Sequence, residues 1–278
     1  MSNCYDFDGK LKKIFGQDKL FLDDLESTWL GSFNRAIKKF LIEKNITETD
    51  DFDLNQIHNH VGLEYQVTDT NGDGISKLGQ MFYDIKDESY FEIYHKFLKE
   101  IRDEVLKCDF YFQEIPTIRF WFKGQKTKHK YHSDIHLGHP PEEINLWWAF
   151  TNNEQTGFVV GDNLKDCEDW YSKYNFDRDS FLKDAESPTP IEEFNSFGEG
   201  ITSEVDSNRI IMFDSRMIHS AIDRSSDDTT RVSMDIRLNP VDEFKDGYTG
   251  LGRMKAQFKP GGKYGYHPKS IDQIWSER

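Results

Sequence analysis

The sequence predicts an α+β fold in which a helical N-terminal third packs on a sandwich or jelly roll of short β-strands. Apolar residues recur at helical spacing through the first hundred residues. From about Ile115 they alternate with polar residues at the period of two that is typical of strands. The short strands follow one another without helical patterns between them, which argues against a parallel α/β sheet.

The helical part carries two apolar stripes. The first comprises Leu22, Leu25, Trp29, Phe33, Ile37, Phe40 and Leu41, and the second comprises Phe91, Tyr94, Leu98, Ile101 and Val105. Because their members fall three and four residues apart, each stripe predicts one helix face packed in the core. Asp87 and Ser89 are the candidate N-caps of the second helix.

Short apolar runs separated by Gly, Pro, Asn and Asp predict the strands. The first alternates over 118–122, and the others cover 144–150, 158–160, 210–213 and 232–238. Since no linker separates helices from strands, we expect one domain over residues 1–278. It would comprise a mainly helical region, 1–110, a jelly-roll core, 111–240, with an insertion at 162–200, and a C-terminal extension, 241–278.

The insertion is acidic and aromatic. Between Asp162 and Glu193 the chain has ten acidic and four basic residues, with five aromatic ones interspersed. This composition predicts a covering segment with some helix, and both a functional lid and a surface excursion without a role fit it.

Composition limits the classes of protein to which the chain can belong. A hydrophobic fraction of 36% is too high for a disordered chain, and no apolar run is long enough to span a bilayer. With 35 basic and 50 acidic residues, the net charge of −15 repels nucleic acid and anionic membranes. Three scattered cysteines and an N-terminus without a signal pattern predict a cytoplasmic location.

Three polar residues predict a metal site. In a strand, His132 and Asp134 would point to the same side, so an imidazole and a carboxylate could meet at one point. His219 follows the apolar strand 210–213 and can supply a third ligand. Two histidines and one carboxylate on one face of a metal suit non-heme Fe(II) oxygen chemistry.

The strand after His219 has two distinct faces. Val232, Met234, Ile236 and Leu238 alternate with Arg231, Ser233, Asp235 and Arg237. The polar face is either solvated or lines a pocket, where a guanidinium and a hydroxyl two residues later could bind a carboxylate.

The ordered combination of H-x-D, a distal histidine and R-x-S resembles the Fe(II)- and 2-oxoglutarate-dependent dioxygenases. The runs YHSDIHLGHPPEEINLWWAFT, MFDSRMIHSA and TRVSMDIRL are similar to members near phytanoyl-CoA dioxygenase and the streptomycin-biosynthesis oxygenases. The resemblance covers about residues 115–239. It implies a double-stranded β-helix (jelly roll, cupin-like) that uses Fe(II), 2-oxoglutarate and O2 and releases succinate and CO2.

The same resemblance implies roles for individual residues. His132, Asp134 and His219 would bind iron, while Arg231 and Ser233 would hold the distal carboxylate of 2-oxoglutarate. Related halogenases have Gly or Ala in place of this carboxylate, so the presence of Asp134 favours hydroxylation. The expected substrate is a small polar metabolite, anionic or sugar-like, in a biosynthetic pathway.

Several neighbours are candidates for contacts with the co-substrate or substrate. Asn145 is the candidate for the co-substrate, and the substrate candidates are Arg119, Tyr131, His136, Trp147 and Arg237. Each also has a structural interpretation, as a strand, surface or core residue. Arg237 is an alternative to Arg231 as the arginine that binds 2-oxoglutarate.

A group of lysines and a segment similar to a calcium loop can each be interpreted as functional or as ordinary surface structure. Lys123, Lys126, Lys128 and Lys130 form either a solvated hairpin or a patch that attracts an anionic substrate. The segment 69–74 copies the opening of a calcium loop but lacks the Glu at position twelve, so a polar turn is favoured.

Two alternatives to this function remain open. One is a cupin-type metal enzyme that does not use 2-oxoglutarate, and the other is a catalytically inactive binding protein on the same fold. The R-x-S pattern argues against the first, and the intact ligand set argues against the second. The sequence leaves the substrate, the position oxidised and the oligomeric state open.

Overall fold

The chain forms a mixed structure of helices and antiparallel sheets, as the sequence predicts. The computed structural model describes residues 7–67, 75–125, 131–137, 139–151, 156–172, 202–206, 209–221, 228–244 and 265–277. Within these residues, no helix combines the length and hydropathy needed to cross a bilayer.

Eight α-helices are defined within the described ranges. They are α1 (Lys10–Phe15), α2 (Asp23–Glu43), α3 (Leu63–Gln66), α4 (Lys77–Phe82), α5 (Glu88–Glu100), α6 (Asp134–Leu137), α7 (Leu164–Ser172) and α8 (Ile271–Ser276). A 3-10 helix covers Leu54–Asn59, and a π-helix, Ile101–Leu106, directly continues α5. Asp87 caps α5 by accepting a hydrogen bond from the Ser89 main-chain N–H, so the predicted cap is confirmed.

The strands form two sheets in which all the pairs are antiparallel. They are β1 (Lys19–Leu22), β2 (Phe110–Phe112), β3 (Thr117–Trp121), β4 (Ile144–Ala149), β5 (Phe158–Gly161), β6 (Thr202–Glu204), β7 (Ile210–Asp214), β8 (His219–Ala221) and β9 (Arg231–Pro240). The large sheet has the order β1-β7-β4-β9-β2, and β3 also pairs with β9. The small sheet has the order β6-β5-β8.

Strand β9 determines which side chains reach the core and which reach the site. Val232, Met234, Ile236 and Leu238 are fully buried in the main apolar core with the helices. In that core, Trp148 of β4 stacks on Phe97 and meets Phe33 edge to face. The alternate residues of β9, Arg231 to Arg237, therefore face the small sheet, as the period of two requires.

A second apolar core lies between the two sheets. It joins Trp147, Ile211 and Phe213 of the large sheet to Phe158 and Val160 of the small one. The helices thus cover one face of the large sheet, and the small sheet covers the other. The polar row of β9 is enclosed between the sheets and does not face open solvent.

Two elements, β1 and α6, differ from the sequence predictions. Strand β1 lies within the region expected to be helical and pairs with β7. Helices α6 and α7 lie between strands, and α7 provides the helix expected in the insertion. Residues 173–200 of the insertion lie outside the described residues, as do the calcium-like segment 69–74 and Lys126, Lys128 and Lys130.

The N-terminal segment covers a buried ion pair in the turn before β8. Arg216 is fully buried and forks onto Asp214, with Nε to Oδ1 at 2.7 Å and Nη2 to Oδ2 at 2.6 Å. Its Nη1 donates to the Phe7 main-chain oxygen at 2.8 Å. Because Phe7 and Gly9 lie directly over this pair, the N-terminal segment helps to hold the turn that leads to His219.

We expect Gly9→Ala to destabilise the protein through a steric clash alone. A Cβ at Gly9 would lie 2.0 Å from Asp214 Oδ2, whereas the φ of −69° suits any residue. Overpacking a well-packed site costs about 1 to 3 kcal/mol, and each kcal/mol lowers the melting temperature by roughly 2 to 4 °C at this size. Circular dichroism melts of Gly9→Ala and wild type measure the difference.

Gly31→Ala is the matched control. The atom nearest to a Cβ at Gly31 of α2 is Arg35 Nη1 at 3.4 Å, so the melting temperature should be unchanged or higher. Equal melting temperatures for Gly9→Ala and wild type would contradict the clash.

Candidate metal centre

Three predicted ligand side chains lie together between the sheets. Asp134 Oδ1 is 3.9 Å from His132 Nε2 and 3.5 Å from His219 Nε2, and one ligand atom from each residue lies within 4.8 Å of the others. Atoms bound to one ion at about 2.0 to 2.2 Å are separated by about 3 to 3.5 Å. A small inward movement would therefore let all three bind one metal ion.

The route by which the chain brings these residues together differs from the prediction. The expectation that His132 and Asp134 share one strand is wrong. His132 forms a single bridge with His219, with main-chain hydrogen bonds of 3.1 and 2.8 Å, whereas Asp134 begins helix α6. The Asp134 main-chain N–H donates to Ser215 O at 3.1 Å, so hydrogen bonds tie the two ligand-bearing segments together.

The two oxygens of the Asp134 carboxylate have different neighbours. Its Oδ2 accepts from Asn145 Nδ2 at 2.9 Å and from Arg237 Nη2 at 3.0 Å and Nε at 3.2 Å. Its Oδ1 faces the two imidazoles. Burial alone would raise the pKa of Asp134, but Arg237, His139 and His219 outweigh it and hold the pKa well below its usual range.

Main-chain contacts fix the ring of His219 in the tautomer that a metal needs. Its Nδ1 lies 3.1 Å from Met217 O, and a carbonyl oxygen only accepts, so Nδ1 carries the proton. The lone pair is then on Nε2, which points toward Asp134. Phe158 and Phe213 contact the same ring, with centroids 6.0 and 5.2 Å away, and limit its rotation.

Three buried polar atoms on the neighbouring strands β4 and β9 lack a hydrogen-bond partner among the described residues. They are Arg231 Nε, Ser233 Oγ and Asn145 Oδ1. Arg231 Nη1 donates a hydrogen bond to Thr156 O at 2.6 Å. No carboxylate of the described residues forms an ion pair with Arg231. Burial lowers the pKa of Arg231 to about 10, which leaves the guanidinium charged at neutral pH. A buried, charged and unpaired arginine is costly unless an anion binds to it.

Aromatic rings connect Arg231 with the metal ligands. Its Cζ lies 5.3 Å from the Trp121 ring centroid and 5.8 Å from that of Trp147. Trp147 stacks on Phe158 at 4.3 Å, and Phe158 contacts His219. Trp147 and Phe158 therefore link the guanidinium to the His219 ring through a continuous row of aromatic contacts.

The other predicted arginines already have carboxylate partners. Arg119 Nε pairs with Asp235 Oδ2 at 2.5 Å, and Arg237 holds the second oxygen of Asp134. Burial would lower the pKa of Arg237, but Asp134 and Asp235 outweigh it and raise the pKa above its usual range. Arg237 is thus placed to orient the carboxylate of Asp134, a candidate metal ligand, which the sequence did not indicate.

The remaining predicted residues have varied positions. Tyr131 and Trp147 are buried in the core between the sheets. The backbone of His136 belongs to α6, but its side chain lies outside the description. Lys123 pairs with Asp228 at 2.8 Å on the surface. Contacts with substrate for these residues stay predictions.

A buried network next to Asp134 escaped the sequence analysis. Glu143 Oε1 lies 2.7 Å from His139 Nδ1, and Tyr266 donates a short hydrogen bond to Glu143 Oε2. Asn239 Nδ2 donates to the Tyr266 hydroxyl at 3.3 Å. The only sequence signal was the cluster of histidines near Asp134, because Tyr266 lies in a C-terminal segment without a recognisable pattern.

Comparisons with known proteins give similarity in structure alone. No protein-family model matches the chain, and no curated protein matches its sequence. EctD from S. alaskensis in its apoform is 11% identical, with a TM-score of 0.49, over 93% of this chain and 87% of that one. SnoN, a non-heme alpha ketoglutarate dependent epimerase from nogalamycin biosynthesis, is 9% identical, with a TM-score of 0.45, over 88% and 90%.

A third similar structure is the non-heme monooxygenase ThoJ in its apo form. It is 10% identical, with a TM-score of 0.39, over 81% of this chain and 74% of that one. Structures of the S. alaskensis protein also exist with bound Fe and with 2-oxoglutarate and 5-hydroxyectoine. Since all these TM-scores are below 0.5, the functional interpretation rests on the residues and distances of the site itself.

Proposed function

We propose that this chain is a non-heme Fe(II)- and 2-oxoglutarate-dependent oxygenase on a double-stranded β-helix, the jelly-roll, cupin-like fold. The observation that carries the proposal is the buried guanidinium of Arg231, which forms no ion pair with a carboxylate of the described residues and lies on the face of the large sheet that the small sheet covers, as does the His-Asp-His ligand set. The ligand set suits Fe(II) with open positions, and the guanidinium suits the distal carboxylate of a dicarboxylate co-substrate.

The metal would be held by His132, Asp134 and His219. Arg237 and Asn145 keep Oδ2 of Asp134 occupied, so that Oδ1 stays directed at the histidines. Main-chain hydrogen bonds between the two ligand segments keep the imidazoles side by side, with ring centroids 4.4 Å apart. When bound, Fe(II) with 2-oxoglutarate supplies the oxidising power, with release of succinate and CO2.

The co-substrate would be held by Arg231 and Ser233. The two residues lie on the same face of β9, and the Ser233 hydroxyl is buried without a partner among the described residues. Opposite Ser233 on β4 is Ala149, which has a small side chain. Trp121 and Trp147 flank the guanidinium and exclude water, which strengthens its interaction with a carboxylate.

The proposed reaction is the hydroxylation of a small polar metabolite, anionic or sugar-like, in a biosynthetic pathway. Asp134 provides a third protein ligand, which fits hydroxylation better than halide transfer. The protein would act there as an enzyme of the cytoplasm. Its role would be to aim the reacting C–H bond and to keep water out.

Anaerobic titration of 2-oxoglutarate into Fe(II)-loaded protein tests this proposal. We expect a weak visible charge-transfer band that saturates, because the 2-oxo acid group chelates the metal. Succinate, which has both carboxylates but no 2-oxo group, is the matched control and should give no band.

The alternatives give different results in the same experiment. Protein that binds Fe(II) but shows no band with 2-oxoglutarate would be a cupin-type metal enzyme. Protein that binds neither would be a binding protein on this fold, and either result would overturn the proposal.

A further inference from the structure

The C-terminal segment places a buried tyrosine beside the proposed metal centre. Tyr266 is 1% exposed, although it follows β9 by 26 residues. It pairs with Gln113 next to β2, and the adjacent His267 N–H donates to Phe112 O at 2.8 Å. The edge of the large sheet thus fixes the backbone on both sides of this tyrosine.

The hydroxyl of Tyr266 has a defined direction. Asn239 donates to it through an amide nitrogen, so the tyrosine oxygen acts as acceptor in that bond. The single hydroxyl proton is then available for Glu143 Oε2. Burial, together with the charge of Glu143, raises the pKa of Tyr266 well above its usual value, and the phenol keeps this proton.

Glu143 is hydrogen-bonded to both segments that carry the proposed metal ligands, the one with Asp134 and the one that leads to His219. Its Oε1 pairs with the Nδ1 of His139, whose main-chain N–H donates to Asp134 O at 3.1 Å. Its own main-chain oxygen accepts from Ser215 N at 3.0 Å. Ser215 O in turn accepts from the Asp134 N–H. The side chain and the main chain of one residue therefore touch both segments.

A second metal ion is a weaker explanation for this cluster. Asp134, His139 and Glu143 do offer ligand atoms within 4.8 Å of one another. However, both carboxylate oxygens of Glu143 are already hydrogen-bonded, and Asp134 Oδ2 faces the guanidinium of Arg237. A cation there would lose these bonds and lie close to a positive charge. The cluster is better explained as a hydrogen-bond network that supports the first centre.

We propose that Tyr266 is a positioning residue for the metal centre. Its hydroxyl fixes the carboxylate of Glu143, which orients the ring of His139 against Asp134. The inference rests on the metal centre of the proposed function. Supporting contacts of this kind usually change metal affinity by about 10- to 100-fold when they are lost.

The test is the affinity of Tyr266→Phe for Co(II), followed by the visible absorption of the bound ion. We expect a dissociation constant about tenfold higher than that of wild type, with an altered Co(II) spectrum. Tyr90→Phe is the matched control, because Tyr90 is also fully buried but its hydroxyl has no partner among the described residues. It should bind Co(II) as wild type does.

Glu143→Gln provides a second route to the same result. Its amide has one acceptor oxygen in place of two, so either His139 Nδ1 or the Tyr266 hydroxyl would face an NH2 group, and Co(II) affinity should fall as in Tyr266→Phe. Because the two residues act through one contact, the double variant should lose little more than either single one.

The outcomes separate this inference from the proposed function. If wild type does not bind Co(II), both fail. If wild type binds and Tyr266→Phe has the same affinity, only the role of Tyr266 is wrong, even where the melting temperature of the apoprotein falls. Fully additive losses in the double variant would also overturn the proposed path through Glu143.

Discussion

Replacing His219 by alanine is expected to abolish metal binding at concentrations that saturate wild type. Loss of a supporting contact alone costs metal affinity 10- to 100-fold, so loss of a ligand should cost at least about a hundredfold. Fe(II)-dependent formation of succinate should disappear with it. Calorimetric titration with Co(II) measures the first effect, and succinate release from 2-oxoglutarate measures the second.

The fold should survive this change. The main-chain bonds between His219 and His132 do not depend on the side chain, so the circular dichroism spectrum should be preserved. His60→Ala is the matched control, because His60 also packs its ring on an aromatic side chain, Phe52 with centroids 4.5 Å apart, but follows the 3-10 helix Leu54–Asn59 in the helical region. Retained metal binding in His219→Ala would refute the assigned ligand.

Replacing Arg231 by glutamine is expected to weaken 2-oxoglutarate binding by about 30- to 4,000-fold. Truncating one member of a buried charge pair costs about 2 to 5 kcal/mol, and each 1.4 kcal/mol is a factor of ten. Binding of Co(II) alone should be unchanged, since Arg231 touches none of the three ligands. The dissociation constant of 2-oxoglutarate, measured anaerobically with the metal present, tests this.

The same change should leave the apoprotein as stable as wild type or more stable. Burial lowers the pKa of Arg231 to about 10, so keeping it charged opposes folding at neutral pH. Arg209→Gln is the control, because Arg209 also packs over an aromatic ring, Phe21, but lies at the surface. Normal 2-oxoglutarate binding in Arg231→Gln would transfer the role to another group, with Arg237 the alternative.

The alternation of polar and apolar residues was sufficient to predict where side chains lie when a single strand carries them. The alternation in β9 predicted which side chains join the core and which face the other way, and the structure confirms both faces. Helical spacing likewise predicted α2 and α5. Strand β1 was not foreseen, because its four residues differ little from the start of a helix and only pairing with β7 defines it.

The arrangement of the site depended on contacts that the sequence does not display. The structure brings His132, Asp134 and His219 together, but through a bridge and a helix start in place of one strand. Arg237 was considered for substrate, yet it lies on the Asp134 carboxylate, because strand register fixes its neighbour. The contact between Tyr266 and Glu143 joins residues 123 positions apart, and no local period signals such a pair.

The ion pair in the turn before β8 has a consequence for dissecting the chain. The Phe7 carbonyl accepts a hydrogen bond from Arg216, and the Tyr266 hydroxyl donates one to Glu143. A fragment limited to residues 111–240 would contain every proposed ligand but would leave a buried guanidinium and a buried carboxylate each short of a partner. A fragment that keeps both contacts therefore has to extend from Phe7 to Tyr266, and trimming either end should weaken the binding of a metal ion before it costs secondary structure.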